Sequence, residues 1–313
     1  MPVIVNRPGP WTHRDLTAGG TRFHAALAGP EESPSTTDAG GLIAAGPAEP
    51  LVLLVHGFPE CWWTWRHVIG PLAEAGYRVA AADLRGFGGS DRPPSGYDLV
   101  TLASDLAAVV HALGHERAIV VGAGLGGQVA WALANQEPST TTAIVPVGAP
   151  HPMALRSLRG RVVSGAALQY LWLKSPMLPE RSLRTTAGMD RLLRSWAGPR
   201  TRQEVAESAG YYATLMARPG AAHSALEAVR RTRLGREEIA SLSEPVRVPV
   251  MSVQGELDPV QPAQAYARDV HHVADHLRQV TVRGVGHFPH EEAPDQFLDA
   301  LLPFLAEIEP TRR

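Results

Sequence analysis

The strongest pattern along the chain is an alternation of short apolar runs with amphipathic stretches. Leu51-Val-Leu-Leu-Val55 is apolar at every position, as a strand buried on both faces of a parallel sheet requires. Tyr77–Ala82, Arg117–Val121, Ala143–Val147, Val248–Val253 and residues 277–283 repeat the type. Residues 65–75, 101–113, 126–135, 262–273 and 291–307 carry helical spacing instead. In the second of these, Leu102, Leu106, Val109, Val110 and Leu113 share one face. Residues 12–17 and 21–28 alternate around Gly19-Gly20, the pattern of a hairpin. Strands and helices in turn predict an α/β fold with a mostly parallel, doubly wound sheet, eight-stranded when the hairpin is included.

Two stretches break this rhythm. Residues 29–50 are rich in Gly, Pro, Ala and Ser and read as a surface loop of low complexity. Residues 152–235 keep helical spacing, with many Arg and Leu, and contain no strand-like run. The expected division is a core of 1–151 and 236–313, with 152–235 inserted as a helical cap or lid.

Composition narrows the function classes. With 44% hydrophobic and 19% charged residues, the 313-residue chain has ample material for a core. A formal charge of −2 argues against a nucleic-acid or anionic-membrane surface as main partner. The absence of a long apolar run points to a cytoplasmic protein that does not enter a membrane. Cys61 is the only cysteine, so no internal disulfide can form, and its aromatic neighbourhood suits a buried structural thiol. His271, His272 and His276 cluster near a helix end without a fourth partner, so they read as solvated or capping groups, and neither metal nor cofactor is expected.

The candidate chemistry lies in Val121-Gly-Ala-Gly-Leu-Gly-Gly127, entered by a strand and left by a helix. It resembles the G-x-nucleophile-x-G elbow of α/β-hydrolases, and Gly124 stands at the nucleophile's place. Four further motifs strengthen the resemblance: His56-Gly-Phe-Pro-Glu60 with Trp62, Trp63 and Trp65 after it, Asp83-Leu-Arg-Gly-Phe-Gly-Gly-Ser-Asp91, Gly255-Glu-Leu-Asp258 and Gly286-His287-Phe288. Together they are similar to the epoxide-hydrolase-like branch of the α/β-hydrolase superfamily over nearly the whole chain.

The resemblance implies that the backbone N–H groups of Phe58 and Leu125 form an oxyanion hole, that Asp258 is the triad acid and that His287 is the base. Asp258 ahead of Pro259 also suits a helix N-cap, and the two roles are compatible. In the family's V-G-H-D-W-G-G pattern this chain has Ala123, Gly124 and Leu125. Gln169 and Val229 stand where the resemblance places the two lid tyrosines that protonate a departing epoxide oxygen, with Tyr170 one position off. Tyr211 and Tyr212 remain as donors or as residues lining a lid helix. A pocket lined by His56, Trp62, Trp63, Tyr170, Tyr211 and Tyr212 is expected, suited to a small apolar molecule.

Three readings stay open. The chain is a homologue without the covalent chemistry, kept to bind a small apolar ligand or a partner; or it is a hydrolase or a lyase- or oxygenase-type enzyme in which the His287–Asp258 pair acts as general base, on water for instance, without a covalent intermediate; or a serine such as Ser90, Ser104 or Ser252 has taken over the attack. A homodimer is compatible with each.

Overall fold

The structure is a computed structural model and describes residues 4–30, 50–158, 169, 171–231 and 234–308. The expected loop over 29–50 therefore lies almost wholly outside the described residues, and so does Tyr170.

Eight strands form one sheet: β1 (Thr12–Ala18), β2 (Thr21–Ala28), β3 (Leu51–Val55), β4 (Arg78–Ala82), β5 (Ala118–Ala123), β6 (Thr141–Val147), β7 (Val250–Gly255) and β8 (Leu277–Val282). Their spatial order is β1-β2-β4-β3-β5-β6-β7-β8. The hairpin β1–β2 and the β2–β4 pair are antiparallel, and every later pair is parallel. The fully apolar β3 sits near the middle, with Leu53 opposite Ala80 on one side and Val120 on the other. All five of its residues are buried, as its unbroken apolar pattern requires.

Helices α1 (Ile69–Glu74), α2 (Leu99–Ala112) and α3 (Leu125–Gln136) connect the central strands. Asp98 starts α2 by accepting a hydrogen bond from the Thr101 N–H at 2.9 Å, and the predicted apolar face is buried. The helix expected over 65–75 begins instead as a 3-10 turn, Trp62–Trp65, because the Asp83 carboxylate takes the Trp62 N–H at 2.8 Å. The helix expected over 262–273 is broken into Ala263–Tyr266 and a 3-10 turn, Asp269–His272. At the break Asp269 turns inward, accepting from Ser252 Oγ at 2.7 Å and from the His151 N–H at 2.8 Å. The last expected helix also divides, at Pro294, which cannot donate a backbone hydrogen bond to the turn before it.

Between β6 and β7 the described residues are mainly helical and include α4 (Pro152–Leu158), α5 (Leu178–Leu183), α6 (Thr186–Trp196), α7 (Arg202–Ala206), α8 (Ala209–Met216), α9 (Ala221–Arg230) and α10 (Arg236–Ser243). Helical structure thus runs past the expected boundary at 235. Asn135 at the end of α3 holds α10 by donating to the Ser241 and Glu244 carbonyls. No helix among the described residues is long and apolar enough to cross a membrane.

Candidate active site

The carboxyl ends of parallel strands are where open α/β sheets place ligands. Here β3 leads into His56–Glu60, β5 into Gly124, β7 into the loop carrying Asp258, and β8 into the loop carrying His287.

The turn from β5 to α3 is sharp, and glycine makes it possible twice over. Gly124 has φ +48° and ψ −111°, a combination that costs a residue with a side chain roughly 1–3 kcal/mol. A Cβ on Gly122 would strike the Gly126 backbone, and one on Gly126 would strike the Val55 carbonyl, so the helix closes tightly on the sheet. Gly124 opens on one side only. A Cβ there would meet His287 Nε2 at 3.5 Å and Gly57 Cα at 3.6 Å, both ordinary contacts.

His287 is buried, and its Nδ1 donates to Asp258 Oδ2 at 2.9 Å. The other oxygen, Asp258 Oδ1, accepts from the Val260 and Gln261 N–H groups at 2.7 and 3.1 Å. One carboxylate therefore orients the imidazole and caps the next turn at once, the two roles open to it from sequence. The His287 backbone is fixed as firmly: its N–H donates to the Trp196 carbonyl at 2.9 Å. The buried Glu292 accepts from the N–H groups on either side of it, Gly286 at 2.9 Å and Phe288 at 2.9 Å, and from Gly198 at 2.7 Å. Glu292 thus ties the histidine loop to the end of α6. Glu292 was not singled out from the sequence, because no motif links it to His287.

A cavity of about 30 Å³ opens at Gly124. Phe58, Gly124, Leu125, Gln128 and His287 line it from the core, Trp196 and Val229 from the helical segment, and Val260 and Gln261 from the loop after Asp258. That volume admits one or two waters. Gln169 does not reach the lining; its Oε1 accepts from Trp196 Nε1 at 2.7 Å, fixing the indole that packs edge-on against His287 at 5.5 Å. Trp196, Gln128, Val260 and Gln261 were not singled out from the sequence, because no local spacing links them.

Among the described residues, His56, Trp62, Trp63, Tyr211 and Tyr212 do not line the cavity at Gly124. His56 lies beneath the loop, with Nδ1 2.7 Å from the Gly57 carbonyl oxygen and Nε2 accepting from the Leu84 N–H at 3.0 Å. Trp62 is fully buried and donates through Nε1 to the Val5 carbonyl at 3.2 Å. Tyr211 donates to the same carbonyl at 3.1 Å, and Arg7 stacks over the Trp63 ring at 4.1 Å. These aromatics secure the N-terminal segment against the helices, and none faces Gly124. Tyr212 is buried, and burial first and the nearby Glu291 and Glu60 charges second raise its pKa. The serines are also engaged or distant: Ser90 Oγ donates to the Asp83 carbonyl, Ser252 Oγ to Asp269, and Ser104 is exposed on α2.

Glu60, His290 and Glu291 offer ligand atoms within 4.8 Å of one another, the only such metal-compatible group among the described residues. Its space is taken. Thr64 Oγ1 donates to Glu60 Oε1 at 2.7 Å, contacts His290 Nε2 at 2.7 Å and Glu291 Oε2 at 3.1 Å, and Arg66 pairs with Glu291. Burial, followed by the Glu291 charge, pushes the Glu60 carboxyl well above the usual carboxylate range. Thr64 and Arg66 thus already satisfy carboxylate oxygens of this group.

A family model described as alpha/beta hydrolase fold matches residues 50–294. Epoxide hydrolase A of Mycobacterium tuberculosis is 30% identical over 305 residues, covering 85% of this chain and 93% of the relative. AB hydrolase superfamily protein YfhM of Bacillus subtilis is 34% identical over 179 residues, so the match spans 55% of that protein, and the match to Epoxide hydrolase B of Mycobacterium tuberculosis spans 35%. Among solved structures, wild-type Cfl2 of Burkholderia cenocepacia is similar over 97% of both chains, with TM-score 0.77 and 25% identity. Epoxide Hydrolase A of Mycobacterium thermoresistibile is similar in fold, with TM-score 0.75 at 24% identity over 96% of this chain and 99% of that one.

Proposed function

Because this chain belongs to the α/β-hydrolase family and has epoxide-hydrolase-like homologues, we propose that it is a member whose elbow has lost its attacking group. In this reading it keeps the fold and the His287–Asp258 pair but makes no covalent intermediate. It serves to bind a small apolar molecule, or a protein partner, beneath a lid formed by residues 152–235. The observation that carries it is Gly124: the position that faces His287 Nε2 has no side chain to attack with, while His287 keeps its hydrogen bond to Asp258.

Two further features support it. Val229 stands in the cavity lining where the family pattern puts a proton-donating tyrosine, and Gln169 spends its amide oxygen on Trp196. The cavity of about 30 Å³ is smaller than a drug-sized ligand needs, so binding an apolar molecule requires the segment carrying Trp196 and Val229 to move outward.

A second reading is favoured by the hydrogen bond between His287 and Asp258. With its Nδ1 proton held by the carboxylate, the imidazole can accept a proton at Nε2, and the cavity has room for a water within its reach. His287 then acts as general base on water rather than on a covalent ester. Turnover of aryl esters, epoxides and haloacids by the wild-type protein beside His287→Ala separates the two. Activity that disappears in the variant supports the water-activating enzyme, and its absence from both supports the binding protein.

A further inference from the structure

We propose that Arg92 and Arg218, which meet on the Gly88 carbonyl oxygen at the seam between the sheet and the helical segment, form a binding site for a phosphate group. The proposal does not rest on the reading of Gly124.

Arg92 follows the Asp83–Asp91 turn, and Arg218 lies between α8 and α9. Arg92 donates to the Gly88 carbonyl at 3.2 Å, and Arg218 donates to the same oxygen at 2.6 Å. Each guanidinium has five N–H donors, and Gly88 takes one from each. Neither pairs with a carboxylate among the described residues. The carboxylates of the adjoining turn are spent elsewhere. Asp91 accepts from the Arg22 guanidinium at 2.8 Å and from the Arg22 N–H at 3.1 Å. Asp83 accepts from His24 and from the Trp62 and Gly89 N–H groups, each at 2.8 Å. Arg92 Nε is buried and has no hydrogen-bond partner among the described residues. Burial first and the Arg218 charge second lower the Arg92 pKa, as expected of two neighbouring cations with no counter-ion between them. An anion seated there turns that repulsion into attraction.

Helix α9 adds donors from a third direction. It runs for 10 residues from Ala221, and Gly220 in the N-cap position offers no side chain to its first N–H groups. A Cβ on Gly220 would lie 3.9 Å from Arg92 Cδ, so the helix start and the guanidinium stem are neighbours. One turn further, Ser224 stands against the core turn, 3.1 Å from where a Cβ on Gly86 would be. The Ala221 N–H bonds to the Arg218 carbonyl at 3.0 Å, whereas those of Ala222 and His223 have no acceptor within the helix. A helix start alone is commonplace; the unneutralised pair of arginines beside it is not. Two guanidinium forks and a helix start, approaching from different elements, suit a tetrahedral, doubly charged oxyanion better than a planar, singly charged carboxylate. Both arginines are partly exposed, so the group enters from solvent. Once bound it ties α9, which carries Val229 to the wall of the Gly124 cavity, to the core.

The test is a calorimetric titration of the full chain with inorganic phosphate, at neutral pH and with ionic strength held by chloride. The wild type should bind saturably. Arg92→Gln and Arg218→Gln should each weaken binding at least about tenfold, the scale of one lost charge-assisted hydrogen bond. Arg283→Gln, which removes an exposed charge at the end of β8, should leave it unchanged. Arg218→Lys keeps the charge without the planar fork, should fall between wild type and Arg218→Gln, and serves if a Gln variant does not fold. A parallel titration with methyl phosphate separates the sources: binding of both supports a phosphate monoester as ligand, and binding of inorganic phosphate alone supports the free ion. No saturable binding by the wild type, unchanged binding in both Gln variants, or equal competition by acetate overturns the site.

Discussion

His287 faces Gly124 across a gap that no side chain fills: its Nε2 lies 3.5 Å from the point where a Cβ on Gly124 would stand. Sterically the gap accepts a methyl group. The backbone does not accept it freely, since φ +48° disfavours any residue with a Cβ. Gly124→Ala is therefore expected to fold and to lose roughly 1–3 kcal/mol, partly offset by the lower entropy of its unfolded chain. Thermal melting checks this, and a variant as stable as the wild type would show that the turn is unstrained.

Asp258 divides its two oxygens between His287 and the backbone after it. Asp258→Asn can keep the cap and lose the preferred imidazole orientation; Asp258→Ala loses both. The Ala variant should fall below the Asn variant in stability by roughly 0.5–2 kcal/mol, the worth of a cap. Denaturant unfolding of the pair measures the difference, and equal stabilities would mean that the cap contributes nothing.

Glu292 accepts hydrogen bonds from both peptide groups that bracket His287. Glu292→Ala leaves these buried N–H groups unpaired, at a cost of roughly 1–3 kcal/mol each. The variant should unfold at markedly lower denaturant. In any assay where His287 acts, it should lose function without Glu292 touching the ligand. A variant with wild-type stability would contradict the role assigned to this carboxylate.

Two buried groups set the pH dependence of stability in opposite senses. Burial, with the charges of His287, Arg66 and His67 adding to it, lowers the pKa of His290 to about 3. The unfolded chain binds a proton near pH 6.5, so stability should fall as pH drops from about 6.5 to 3, by roughly 1.4 kcal/mol for each pH unit crossed. Burial raises Asp269 to about 7 against the pull of its hydrogen bonds from His151 and Ser252. Its contribution is complete below about pH 4 and is lost as pH rises through 7. The two slopes offset one another between about pH 4 and 6.5 in the wild type, so single variants separate them. Measured from pH 3 to 8 against the wild type, His290→Gln should make the unfolding free energy fall more steeply as pH rises from about 4 to 6.5, and Asp269→Asn should make it rise over the same range; profiles unchanged from the wild type would contradict the assignment.

The sheet was legible because its period is local. An apolar run such as Leu51–Val55 needs no distant information to be read as a buried strand, and all eight strands lie close to where the pattern puts them. The bond between His287 and Asp258 came from motif order, which also encodes which strand ends meet. The lining of the cavity at Gly124 was not legible in the same way. Trp62, Trp63 and Tyr211 carry the composition of a binding site, yet their polar tips and faces are used to hold Val5 and Arg7. An aromatic cluster covering a chain terminus and one lining a ligand cavity look alike in sequence. Trp196 and Val229 reach the cavity from helices whose placement depends on packing across some hundred residues of chain. The broken helices at Asp269 and Pro294 divide the same way: proline announces its break, whereas a buried aspartate does so only once its partners are in place.

Whether the wild-type protein ever carries part of a substrate decides what Gly124 means. Incubation with an activated aryl ester, an epoxide and a haloacid, acid quenching within the first turnover and intact-mass measurement addresses this directly. A chain without an elbow nucleophile gives an unmodified mass and no burst of released product with each compound, whether or not slow turnover follows. A burst with a stoichiometric mass increase would contradict that expectation, because an attacking group would then have to exist somewhere other than Gly124.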